Sequence, residues 1–180
     1  FMLQDVISQK PNVLSATYMG NGVLWSLSYE WWFYMLYYVL ATRIPAEKIN
    51  KWVSIMVVTA AATYLIYPFI ANRLIMYFAI WWIGVRFAET YLRGGGFSFK
   101  QILRYAGVLL VICGILGLNL YLNFGYTKIY TYPLVAYPFI ELRHFVFAIM
   151  VMFGSIAWYN LKWIGFDALF GVFKYIAPSS

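Results

Sequence analysis

Apolar residues run through this chain in blocks separated by short polar stretches, and the blocks are the length of membrane-crossing helices. A helix needs about 20 mostly apolar residues to span a hydrocarbon core roughly 30 Å thick, at about 1.5 Å per residue. Five blocks meet this pattern: 24–40, 52–71, 74–92, 102–122 and 138–159. The stretch 163–173 is too short to cross and carries Asp167, so it is expected to lie at the interface. It opens a cytoplasmic segment, 160–180, that leads into a further, truncated span. The expected fold is all-α, a polytopic transmembrane helix bundle preceded by an outer loop over 1–23.

Composition points the same way. Of 180 residues, 64% are hydrophobic, 22% aromatic and 11% charged. A soluble domain carries roughly a quarter charged residues, and disorder needs still less apolar character. One cysteine and one histidine exclude a disulfide scaffold and a multi-ligand metal centre, so no metal site is expected. The formal net charge of +7 would suggest nucleic acid in a soluble protein. In a membrane protein it marks loops, and no nucleic-acid partner is expected. The partner is the lipid bilayer.

The basic residues also orient the bundle. Loops after the first, third and fifth blocks hold Arg43, Lys48, Lys51, Arg93, Lys100, Arg104, Lys162 and Lys174. The opposite ends hold only Lys10, Arg73 and Lys128. The richer side faces the cytoplasm by the positive-inside rule, so the first span descends from outside. The chain starts at Phe1 and shows no signal peptide, and it reads as a piece of a longer protein. The run Gly94-Gly95-Gly96 lacks the spacing of a phosphate-cradling loop and reads as a turn.

Ionisable residues inside the spans carry most of the functional information. A charge at the bilayer centre costs at least about 2.5–3.5 kcal/mol, so it requires a partner, a wet cavity or a task. Glu30, the Arg86–Glu89 pair and the group Glu141, Arg143, His144 qualify. Around Glu30, helical spacing places Ser26 one turn before and Tyr34 one turn after, with Phe33 and Tyr37 on the same face. Hydroxyls on both sides suit a hydrogen-bonded polar pocket; an inter-helix lock is the alternative. Glu30 and His144 each lie about 9 Å below the outer end of their helices, a depth that permits a Glu30 pair with Arg143 or His144. Arg86 and Glu89 are three residues apart, which favours an ion pair on one helix; the alternative has Arg86 attracting donor phosphates. Cys113 reads as a small buried hydrophobe.

The segment Leu24-Trp25-Ser26-Leu27-Ser28-Tyr29-Glu30-Trp31-Trp32-Phe33-Tyr34 resembles the signature of the acyltransferase-3 family, polytopic membrane O-acyltransferases of mostly bacterial origin. The pattern is Trp-Ser-Leu-Ser, a variable residue, Glu, then Phe-Tyr, matched by Trp25, Ser26, Leu27, Ser28, Glu30, Phe33 and Tyr34. The lead-in residues 1–4 and 18–22, the stretch Arg73 to Ala88 and the stretch Phe173 to Ser180 are similar to other parts of the family. Trp31 and Tyr38 depart from it, standing where many members carry a second acid and a proline.

The resemblance implies transfer of an acyl group, acetyl by expectation, from acyl-CoA to a hydroxyl of a glycan or lipid-linked surface precursor. It implies an enzyme with no bound cofactor, acyl-CoA (acetyl-CoA) being the donor substrate, in the bacterial inner membrane. Glu30, Ser26 and Tyr34 form the implied catalytic group, and Trp25, Arg86, Arg143 and His144 the implied substrate-binding group. Trp25 would stack on a sugar ring. The family's catalytic histidine belongs to a helix before this motif, so His144 is not assigned its role and this piece alone is expected to be inactive. A transporter or flippase whose buried charges line a path is the alternative, as is a scaffold whose charges only lock helices.

Overall fold

A computed structural model describes residues 3–96, 99–128 and 137–171. The fold is mostly helical. Helices α1 (Leu24–Arg43), α2 (Ala46–Ile66), α3 (Ile70–Leu92), α4 (Phe99–Lys128) and α5 (Phe139–Asn160) are followed by the short α6 (Phe166–Phe170). A single 3-10 turn at Tyr18–Gly20 precedes α1. Among the described residues, three segments are long and apolar enough to cross a membrane by length and composition: Ala46–Ile66, Ile102–Leu122 and Phe139–Asn160. Helix α1 is rich in Trp and Tyr, and α3 contains Arg73, Arg86 and Glu89, which lower their apolar character. Leu110, Phe147 and Met150 are exposed on the bundle's outside, where lipid would cover them.

Several helix boundaries differ from those expected, most clearly around α2 and the start of α3. The second helix begins at Ala46, directly after Pro45, and stops at Ile66 rather than running to Ala71. The cause is Pro68, which lacks an N–H and disfavours helical backbone in the residue before it; Tyr67 is extended at φ −146°, ψ 100°. The chain restarts its helix at once. The Asn72 side chain accepts from Phe69 N at 2.9 Å and donates to the Tyr67 carbonyl at 2.7 Å, which secures the start of α3. Consequently Arg73 lies within α3 rather than in a loop.

Helix α2 packs on α3 and α4, α4 packs on α5, and α1 lies against α3 and the N-terminal segment. Val57, Tyr64, Phe78, Leu109, Ile112, Leu116 and Phe145 fill the core and are almost wholly enclosed. The N-terminal segment also departs from expectation. Within the segment expected as an outer loop it makes a two-stranded parallel pairing, β1 (Gln4–Asp5) with β2 (Ser15–Ala16), and sends Asp5 and Lys10 into the bundle. The Asn12 amide donates to the Pro68 carbonyl at 2.7 Å, and Tyr137 N donates to the Gln9 carbonyl at 2.7 Å. These bonds fasten the segment across the starts of α3 and α5. The expected final span falls in residues 172–180, outside the described residues.

Candidate functional site

Helix α1 divides its polar residues between two faces. Ser28 and Tyr29 are buried beside Phe33, whereas Ser26, Glu30 and Tyr34 form an exposed stripe. Tyr34 donates its hydroxyl to Glu30 Oε1 at 3.0 Å, one turn away, as the spacing predicted. Ser26 turns back, its hydroxyl donating to the Val23 carbonyl at 2.8 Å. Among the described residues Glu30 forms no ion pair. The pair expected between Glu30 and Arg143 or His144 does not form.

His144 instead meets the buried side. Its Nδ1 lies 2.6 Å from the Tyr77 hydroxyl, in a hydrogen bond, and its ring stacks on Trp25 at 6.3 Å between centroids, with planes 12° apart. Arg143, the next residue, is exposed. The Trp25 ring is further engaged by Lys10, whose Nζ lies 4.0 Å from its centroid in a cation–π contact. The ring expected to receive a sugar therefore carries the protein's own ammonium. Arg86 and Glu89 form the same-helix ion pair that their spacing favours.

Beside this stripe, the bundle encloses a polar cluster built by the N-terminal segment. Asp5 is fully buried and receives three groups: the Tyr29 hydroxyl at 2.8 Å, Lys10 Nζ at 2.9 Å and Arg73 Nε at 3.4 Å. The Lys10 and Arg73 Nε contacts are ion pairs by distance, off the geometry of a hydrogen bond. Arg73, also fully buried, donates through Nη1 to the Pro11 carbonyl at 2.7 Å. Glu141, in the first turn of α5, is fully buried too, and neither of its oxygens has a partner at normal hydrogen-bond geometry. Its charge acts on Lys10, Tyr64 and Arg73. Burial lowers the Lys10 ammonium below the usual lysine range, outweighing the attraction of Asp5. Burial likewise raises the Tyr137 hydroxyl, which accepts from the Asn119 amide at 3.3 Å.

Asp5, Lys10, Arg73 and Tyr29 were not among the residues singled out from sequence. Asp5, Lys10 and Arg73 look like ordinary loop charges until the segment folds back. One signal was present: Pro68 followed by a cap residue at Asn72 places Arg73 inside a helix. Among the described residues no group of His, Cys, Asp and Glu is arranged to hold a metal ion. Comparison with protein-family models, curated proteins and solved structures finds no match to this chain.

Proposed function

We propose that this chain is part of an integral membrane O-acyltransferase that moves an acetyl-sized acyl group from acyl-CoA to a hydroxyl of a glycan or surface precursor. The observation that carries the proposal is the Glu30 carboxylate, held by Tyr34 on an open face of an otherwise apolar, aromatic helix, within the segment that resembles the acyltransferase-3 signature. Such a carboxylate is costly in lipid unless it serves another group. All five long helices cross the bilayer in this reading, α1 and α3 included.

The chemistry requires a base to take the acceptor's proton as its oxygen attacks the thioester carbonyl. Donors must stabilise the oxyanion, and the thiolate of coenzyme A then leaves. Glu30 acts as a positioning residue: it orients the histidine that the resemblance places on another helix and stabilises that ring once protonated, as the acid of an acid–histidine pair does. Tyr34 fixes the carboxylate's rotamer. Ser26 lies one turn along the same exposed stripe, where the acceptor would pass.

Transfer of radiolabel from acetyl-CoA to membrane glycan tests the proposal, using membranes that contain the full-length protein. Glu30→Gln is expected to lower transfer by about 100-fold or more and to change its pH profile, with Tyr34→Phe costing less. Undiminished transfer by Glu30→Gln would refute Glu30's role. Solute uptake into vesicles without label transfer would favour a transporter instead.

A further inference from the structure

A second polar site lies at the opposite end of the bundle from the Asp5 cluster. Helices α2, α3 and α4 enclose a pocket of about 450 Å³ there, within the roughly 300–1,000 Å³ range of ligand pockets. Its mouth carries Lys51 from α2 and Arg104 from α4, both exposed and neither in an ion pair among the described residues. Glu47 shares the mouth and leaves it with one surplus positive charge. The wall is fixed by Trp82, whose indole N–H donates to Asn50 Oδ1 at 3.0 Å. Below that bond Ser54 and Tyr105 share the lining with apolar side chains, Val108 on α4 among them. Arg104 and Val108 are four residues apart on α4, so Val108 lies about 6 Å deeper than the mouth.

A basic mouth with apolar side chains deeper in the lining matches the order of groups in a phospholipid, phosphate first and then acyl chain. We propose that this pocket binds one anionic phospholipid, its phosphate on Lys51 and Arg104 and the head of an acyl chain against Val108. The surplus positive charge selects an anionic headgroup over a zwitterionic one. The pocket lies at the end of the bundle that also holds Arg43, Lys48 and Arg93, basic residues that would draw anionic lipid toward it. This inference is independent of the acyl-transfer reading.

The test uses the full-length protein purified in detergent and a photoactivatable phosphatidylglycerol. The expected result is labelling of peptides from α2 and α4, reduced roughly tenfold or more in the Lys51→Gln/Arg104→Gln double variant. Lys48→Gln removes the same charge from the same first turns of α2 without lining the pocket and should retain labelling. Glu47→Gln should increase it. Val108→Trp narrows the deeper lining and should reduce labelling with the mouth intact, while circular dichroism confirms that each variant keeps its helices. Competition by phosphatidylcholine should be at least several-fold weaker than by phosphatidylglycerol. Unchanged labelling of the double variant would overturn the proposal. So would full displacement by glycerol phosphate, which would show that the apolar lining is unused, or by coenzyme A, which would assign the site to a nucleotide donor.

Discussion

Removing the Asp5 carboxylate would strip both Lys10 and Arg73 of their counter-ion inside a closed core. Loss of one partner from a buried charge group costs about 3–5 kcal/mol, because the remaining charges stay out of water. Asp5→Ala is therefore expected to lower stability by that amount in thermal unfolding in detergent, whereas removing the exposed Arg143 should cost less than about 0.5 kcal/mol. Lys10 adds a pH dependence. Its folded-state pKa is lowered, so between that value and the ordinary lysine value of 10.5 the unfolded chain binds more protons than the folded one. Stability contributed by Lys10 should rise with pH across that window. The difference between the wild-type protein and Lys10→Met, followed as melting temperature against pH, should move in the wild type's favour as pH rises. The Glu30–Tyr34 contact was legible in the sequence because it is local to one helix. The Asp5–Arg73 contact was not, because it depends on a turn at Pro68 and on an N-terminal segment returning across the bundle.

At the scale of elements, apolar runs located all five long helices, and most discrepancies arise at helix ends. Proline and side-chain capping set those ends more sharply than hydropathy does, as Pro45, Pro68 and Asn72 show. The end of α3 offers a quantitative check. Gly94 follows it at φ +68°, with nothing within 4 Å of where a Cβ would stand. Gly94→Ala therefore probes backbone strain alone and should destabilise by about 1–2 kcal/mol. Gly154, inside α5, also has free space but ordinary helical backbone, so Gly154→Ala should stabilise by up to about 1 kcal/mol. Opposite signs for one chemical change, read by thermal unfolding, separate the two local geometries.

At the scale of the molecule, the bundle is polarised along its axis. One end encloses Asp5, Lys10, Arg73 and Glu141; the other carries the exposed Arg43, Lys48, Lys51, Arg93 and Arg104. That asymmetry fits a bilayer with a cytoplasmic face at the basic end. On the proposed orientation, the Glu30 stripe would lie in the half nearer the outer surface and the proposed phospholipid pocket in the half nearer the cytoplasm. Both functional proposals depend on this arrangement. Cysteine labelling of intact cells, after Cys113 is replaced by Ser, tests it most directly. A membrane-impermeant maleimide should label Leu14→Cys without permeabilisation and label Lys48→Cys and Arg93→Cys only after it. Labelling of Leu14→Cys and Lys48→Cys from the same side of the membrane would contradict the account.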